Sequence, residues 1–246
     1  EELKQIAVDY NLCSPVGCNV NPVDYHYSHD LFDIKDDGRK KARLVVGLTR
    51  YGTKLDYGID LFSPTIDVKL VKLILSLGLE SKYELSVWDI KGAFLKSPMY
   101  TKGVYVLLRA HVVKRLLKIR PEWKEYVRTD GSMMVECNKA WYGLSAAAAL
   151  WNKEIHDTLV NQCGYKQHSK VKCLYTKQVQ GVNCYIMLHV DDMGVLMPPD
   201  NIEYDRVKTI LEAKYDAMRI QTGDEVKYIG YEIKRNRLKN CFEVSM

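Results

Sequence analysis

Cys184-Tyr-Ile-Met-Leu-His-Val-Asp-Asp-Met-Gly-Val-Leu-Met197 is apolar on both sides of two adjacent carboxylates, Asp191 and Asp192. Cys184 to Val190 and Met193 to Met197 read as two strands separated by a tight turn, which places both carboxylates at the tip of a hairpin rooted in the core. Like charges in that setting repel and are poorly solvated. A divalent cation with hard, oxygen-preferring chemistry, such as Mg²⁺, relieves that penalty. A third carboxylate, Asp89, stands near the end of another expected strand, Leu85-Ser-Val-Trp-Asp-Ile90, which alternates apolar and polar residues and breaks near Gly92. Three carboxylates at strand ends suit a site for two metals about 3.5 to 4 Å apart, clamping the attacking and leaving oxygens of a phosphoryl transfer. Spacing alone leaves a plainer reading open, with Asp89 capping the turn at Lys91-Gly92 and Asp191-Asp192 forming an ordinary hairpin turn. Asp36-Asp37-Gly38 lies among polar residues and reads as a solvated turn.

Outward from these strands, residues 1 to 40 carry Pro15, Gly17 and Pro22 with little periodicity, and predict loop-rich chain ending in a hairpin. Lys41 to Val46 reads as a strand with Lys41 and Arg43 on one face, followed by irregular chain from Gly47 to Pro64. Asp67 is positioned to start a helix through Leu70, Leu73, Ile74 and Leu77, closed by Gly78. Val104–Leu108 and Met133–Cys137 are further strands, the second following a turn at Asp130-Gly131. Ser145 to Cys163, with four alanines, predicts the strongest helix, capped by Gly164. Asp205 to Met218 predicts a second amphipathic helix, and Val226 to Ile233 a final strand or hairpin containing Gly230. Strands and helices mixed with hairpins argue for an α+β fold with an antiparallel sheet.

The 246 residues allow one large domain or two intimately packed ones. With 47% hydrophobic and 27% charged residues, the composition excludes disordered and collagen-like classes. The apolar runs fall far short of the ~20 residues of a membrane helix, and no cleavable signal opens the chain, so a soluble, intracellular protein is expected. A net charge of +5 is compatible with a polyanionic partner without requiring one. Seven scattered cysteines without a C-x-x-C pair suggest neither a disulfide framework nor a zinc site.

Six segments stand in the order found in copia-type long-terminal-repeat retrotransposon reverse transcriptases, and over residues 41 to 233 the chain resembles that family. They are Lys41-Ala-Arg-Leu-Val45, Gly58-Ile-Asp-Leu-Phe-Ser-Pro64, Asp89-Ile-Lys-Gly-Ala-Phe-Leu95, Trp141-Tyr-Gly-Leu144 followed by Trp151, His189-Val-Asp-Asp192 and Tyr228-Ile-Gly-Tyr-Glu-Ile233. The resemblance implies an RNA-directed DNA polymerase in a right-hand fold: fingers at about 1–66 and 98–142, palm at about 67–97 and 143–246, and no thumb within this stretch. It implies that Asp89, Asp191 and Asp192, with the Ile90 carbonyl, bind two Mg²⁺ ions, or Mn²⁺ in their place.

By the same resemblance Lys41 and Arg43 hold the incoming deoxynucleoside triphosphate, and Phe94 is the aromatic gate against a ribose 2′-OH. Ala146 occupies the position of a Gln that supports the nucleotide. His189 stands where the family has Tyr beside the primer, and Gly230 and Tyr231 lie in the hairpin that grips the primer end. Implied partners are an RNA or DNA template with its primer, and flanking integrase and ribonuclease H domains of a polyprotein, in a cytoplasmic particle or the nucleus. Ser145-Ala-Ala-Ala-Ala149 departs from the family's Lys, Gln, small residue, Pro and Arg, which raises the alternative of a decayed copy that folds and binds nucleic acid without efficient polymerisation.

Overall fold

The computed structural model describes residues 2–34, 38, 40–49, 57, 60–80, 83–199 and 201–246. A turn of helix α1 (Glu2–Lys4) leads to strands β1 (Cys13–Pro15), β2 (His26–Ile34) and β3 (Lys40–Thr49), then to α2 (Val68–Glu80) and β4 (Glu84–Asp89). Next come α3 (Ala93–Lys96), β5 (Tyr105–Leu108), α4 (Ala110–Leu116), β6 (Met133–Cys137) and α5 (Ala147–Asp157). The strands β7 (Lys166–Gln167), β8 (Leu174–Val179), β9 (Val182–His189) and β10 (Asp192–Met197) precede α6 (Ile202–Tyr215). The last strands are β11 (Arg219–Gln221), β12 (Glu225–Tyr228), β13 (Tyr231–Asn236) and β14 (Cys241–Ser245). This is the mixed α and β content expected, in two compact units: Glu1–Leu61 with Phe94–Trp151, and Phe62–Ala93 with Asn152–Met246. Asp36, Asp37, Gly58 and Ile59, which the sequence analysis names, lie outside the described residues.

The first unit is built on a five-stranded sheet in the order β1-β6-β5-β2-β3, antiparallel except where β2 runs parallel to β5. Strands β2 and β3 form the hairpin expected at the end of the loop-rich stretch, while β1 and the length of β2 back to His26 come from the part read as loop. Its polar and proline-rich composition hides them, and they form because β3 and β6 supply their partners. Trp141-Tyr-Gly-Leu144 clasps β3 from the side. The Trp141 indole donates to the Leu44 carbonyl (2.9 Å), and the Val46 amide donates to the Tyr142 carbonyl (2.7 Å). Gly143 lies between them at φ +92°, where an added Cβ would stand 2.0 Å from the Val46 oxygen. The motif therefore ties the strand that carries Lys41 and Arg43 to a fully buried Trp.

The second unit holds a six-stranded antiparallel sheet, β11-β4-β10-β9-β8-β7, and a three-stranded one, β12-β13-β14. Strands β4 and β10 are covered on both faces, so the alternation read in β4 does not mark a solvent face: Ser86 is buried together with Leu85, Val87 and Trp88. Period two puts Trp88 on the face that meets Tyr204 of α6, in an edge-to-face contact at 5.0 Å. On the opposite face are Gly194 and Leu196, which meet Tyr228 and Gly78 respectively.

Helix α2 starts where expected, its first turn capped by the Asp67 carboxylate accepting from the Leu70 amide (2.9 Å), but two details are corrected. Gly78 does not close it. The helix runs on to Glu80, and Gly78 is buried where a Cβ would press to 3.0 Å against Leu196 and Tyr83. The inward face is accordingly Val71, Ile74, Leu75 and Gly78, leaving Leu73 and Leu77 exposed.

The helix expected from Ser145 to Cys163 begins at Ala147 and passes into a π-helical turn at Thr158–Gln162, where the Thr158 hydroxyl donates to the Glu154 carbonyl (2.9 Å). Helix α6 starts at Ile202, three residues before Asp205, because Asn201 caps it by accepting from the Glu203 amide.

Gly143 and Gly230 both have positive φ, but nothing lies within 4 Å of a Cβ at Gly230. We expect Gly143→Ala to destabilise the protein by about 3 kcal/mol or more through steric clash plus backbone strain, and Gly230→Ala by only about 1 kcal/mol through strain alone. Equal losses in denaturant unfolding would refute the clasp.

Candidate active site

Antiparallel register brings the candidate carboxylates together. Asp192 of β10 is paired with Asp89 of β4 on one side and with His189 of β9 on the other, and Asp89 is paired with Arg219 of the edge strand β11. One straight row across four strands thus reads Arg219, Asp89, Asp192, His189. Cross-strand partners share a face and stand about 5 Å apart at Cβ, so the row is a continuous band of ionisable side chains. Asp191 is the exposed second residue of the two-residue turn Val190-Asp191, and its carbonyl accepts from the Ile90 amide (3.4 Å). This turn has Val190 at φ +56°, the left-handed region that a β-branched residue rarely enters.

Burial and the charges of Asp191 and Asp89 raise the Asp192 carboxyl from its usual value to about 6, while His189 and Arg219 act in the opposite sense. His189 is half-buried, with Nδ1 3.2 Å from the Ile66 carbonyl, so its ring is fixed against the chain entering α2. Asp89, Asp191 and Asp192 offer hard oxygen donors, the type that suits Mg²⁺ or Mn²⁺. Among the described residues, no three His, Cys, Asp or Glu side chains converge as a preformed metal group. The second-unit site is a row of neighbouring side chains in which burial first, and then the charges of Asp191 and Asp89, disfavour the ionised form of Asp192.

Gly230 and Tyr231 belong to the hairpin β12-β13, and Gly230, at φ +82°, is exposed at its tip. What anchors that hairpin is Tyr228, to which the sequence alone assigns no role. Its buried hydroxyl donates to the Met187 carbonyl (2.6 Å), and its ring rests on β10 where Gly194 has no side chain. Tyr228 therefore packs on the carboxylate face of the sheet, two residues along β10 from Asp192.

In the first unit, Arg43 and Phe94 meet through a third side chain. The Arg43 guanidinium lies 4.6 Å over the Tyr142 ring, and Phe94 packs on the same ring at 5.9 Å. Lys41 is in β3, with its side chain outside the described residues. Ala146 is fully buried in the core of this unit, in a turn just before α5, whereas Ser145 is exposed and hydrogen-bonded to Tyr57.

Arg219 and Tyr142 also escape the sequence reading. A three-residue edge strand is too short for a period-two signal, and the role of Tyr142 within its motif cannot be read without its contact to Arg43.

Residues 10–243 match the family model described as reverse transcriptase (RNA-dependent DNA polymerase). The transposon Ty1-DR1 Gag-Pol polyprotein of Saccharomyces cerevisiae is 29% identical over 215 residues, covering 85% of this chain and 11% of the polyprotein. The Ty1-GR3 polyprotein of the same yeast is 30% identical over the same lengths. The chain thus spans about a ninth of the length of these two polyproteins. Among solved structures, telomerase from Candida albicans in complex with a fragment of telomeric RNA superposes with a TM-score of 0.51 at 12% identity, over 95% of this chain and 49% of that one. Fold, motif order and relatives agree, and the chain belongs to the reverse transcriptase family as a copia-type (Ty1-like) member.

Proposed function

We propose that this chain is the polymerase part of a retrotransposon polyprotein and performs RNA-directed DNA synthesis, transferring a deoxynucleotide to a primer 3′-OH on an RNA or DNA template. The observation that carries this is the pairing of Asp192 with Asp89 at the end of two buried strands, with Asp191 beside them. Such a band of carboxylates is costly to assemble, and a divalent cation would offset that cost. Asp89, Asp191, Asp192 and the Ile90 carbonyl would hold two Mg²⁺ ions. When bound, these supply charge stabilisation for the attacking and leaving oxygens of in-line nucleotidyl transfer.

The protein's own residues position the reactants. His189, held by the Ile66 carbonyl, and the Gly230-Tyr231 tip, anchored through Tyr228, orient the primer end. Lys41 and Arg43 bind the triphosphate, Arg43 presented flat by its stack on Tyr142. Phe94, supported on the same ring, discriminates against a ribose 2′-OH. Flanking integrase and ribonuclease H domains are the expected companions. A second reading, a folded copy that binds template-primer without efficient catalysis, is favoured by Ala146 alone, because a buried methyl group cannot support a nucleotide.

Primer extension with Mg²⁺ and with Mn²⁺ tests the proposal. Asp191→Asn should lower extension by about 10²- to 10³-fold, since it removes a charge that acts on the transition state. Template-primer binding, which rests on phosphate contacts, should stay within about twofold. Equal loss of binding and extension would sink the assignment.

Asp192 gives a pH test. Its carboxyl is raised to about 6 in the folded protein, so the native state holds the proton more tightly than the unfolded chain. The stability this confers is present below about pH 4 and is lost as pH rises through about 6. Asp192→Asn should therefore stabilise the metal-free protein at pH 8 by roughly 1 to 2 kcal/mol after allowance for partial exposure, with little effect near pH 4, while abolishing extension. A variant no more stable than the parent at pH 8 contradicts the repulsion.

A further inference from the structure

Two side chains of the first unit lean on one ring. The Arg43 guanidinium lies 4.6 Å from the centroid of Tyr142, and Phe94 meets the same ring at 5.9 Å with the two aromatic planes inclined by 59°. The three residues come from separate parts of the chain: Arg43 from β3, Phe94 from α3, and Tyr142 from the turn ahead of α5. Each is half-buried. They meet at the margin of the core, where a neighbouring ring directs a side chain that core packing alone leaves partly free.

Tyr142 is the anchored member. Its carbonyl accepts from the Val46 amide (2.7 Å), and the carbonyl of Trp141 before it accepts from the Leu144 amide (3.1 Å). The Trp141 indole is fully buried and donates to the Leu44 carbonyl (2.9 Å), and Gly143 sits where an added Cβ would collide with Val46. The backbone on both sides of the ring is thus held against β3, and the ring cannot withdraw without opening that clasp. Arg43 has a long side chain whose rotamer freedom is lost when it grips a ligand. Stacking on a fixed aromatic face removes part of that freedom beforehand and leaves the guanidinium edge open to phosphate oxygens. An inclined ring contact restricts the Phe94 torsions in the same way.

We propose that Tyr142 is a positioning residue that sets triphosphate affinity and sugar selectivity together, by seating Arg43 and Phe94 on one anchored ring. This role rests on the polymerase reading above, which gives the triphosphate to Arg43 and the ribose gate to Phe94. Tyr142 acts through those two side chains. Separate supports would let phosphate grip and sugar choice vary independently, whereas a shared seat makes one substitution move both.

Single-nucleotide incorporation by the whole chain, titrated with dATP and with ATP opposite a template uracil, tests the seat. Tyr142→Leu keeps apolar bulk and removes the ring. It should raise KM for dATP about fivefold and lower the preference for dATP over ATP about fivefold or more, with kcat for dATP within about threefold of the parent. Tyr142→Phe, which keeps the ring, should restore both quantities to within about twofold of the parent. A merely structural defect behaves otherwise, because loss of folded protein lowers the apparent kcat and leaves KM and the preference where they were. In paired variants the effects should not multiply. Adding Tyr142→Leu to Arg43→Gln should change KM by no more than about twofold, and adding it to Phe94→Ala should change the preference by no more than about twofold, since the ring acts through those side chains.

An unchanged KM or an unchanged preference in Tyr142→Leu overturns the proposal, as do Tyr142→Phe values that match Tyr142→Leu, or effects that multiply in the paired variants. The polymerase reading fails separately. If the parent extends no primer, that reading falls, and the seat is judged by the anisotropy of a labelled, dideoxy-terminated primer-template held by the protein with dATP or with ATP. A preference for dATP that Tyr142→Leu loses and Tyr142→Phe keeps upholds the seat, and the lack of any such preference in the parent overturns it.

Discussion

Placing Asp89 directly opposite Asp192 is the constraint around which the second unit is organised. Asp192 closes the two-residue turn Val190-Asp191, but no local turn brings Asp89 to it. Each stands at the end of a strand whose other residues are buried on both faces, and the register of β4 against β10 leaves no freedom to separate them. A slip by one residue would turn one carboxylate to the opposite face and expose the apolar residues beside it, so burial of Val87, Trp88, Met193 and Val195 enforces the repulsion. Electrostatic cost at one end of the sheet is offset by hydrophobic burial along the rest of it. The same logic accounts for Val190. A β-branched residue at φ +56° costs about 1 to 2 kcal/mol, and it persists because the strands on both sides of a two-residue turn are fixed by their neighbours.

That dependence makes the glycines and tyrosine packed around β10 as specific as the carboxylates. Gly194 is small so that Tyr228 can reach the Met187 carbonyl, and Gly78 is small so that α2 can approach Leu196 on the same face. Both contacts press on β10 within four residues of Asp192. The β12-β13 hairpin and the carboxylate hairpin are therefore linked through one strand. In the first unit the corresponding device is the clasp of Trp141-Tyr-Gly-Leu144 on β3, which fixes the strand and lays Tyr142 under Arg43 with the same few residues.

The carboxylates and the hairpin between them are legible in the sequence because they interrupt apolar runs, and period two carries that signal over short distances. Their mutual contact is not legible, since it depends on pairing residues far apart in the chain, Asp89 with Asp192. The motifs supply it only by resemblance. Helix α2 shows a different limit. Leu70, Leu73, Ile74 and Leu77 satisfy helical spacing, yet the buried stripe runs through Val71, Ile74, Leu75 and Gly78, because close approach to Leu196 and Tyr83 selected a glycine face that a count of apolar residues ignores. Arg219 is invisible for the opposite reason. Its significance is positional, one strand across from Asp89, and nothing in Arg-Ile-Gln announces an edge strand.

The alanine run takes on a different meaning once Ser145 and Ala146 are separated. Ala146 faces the core of the first unit, where a Gln side chain would have to bury an amide among apolar groups or displace them. The backbone points position 146 inward, into that core. Ser145 faces outward, and its hydroxyl is joined to Tyr57. Tyr57 in turn meets Nε2 of the buried His26 (3.1 Å), whose Nδ1 lies 2.8 Å from the Gly47 carbonyl of β3. Burial lowers the His26 pKa, so the ring stays neutral and can accept from Tyr57 while donating to Gly47. The departure at Ser145 thus ends in a hydrogen-bonded chain to the strand that carries Arg43. What the run lacks in polar groups of its own it retains as support for the strand on which that cation stands.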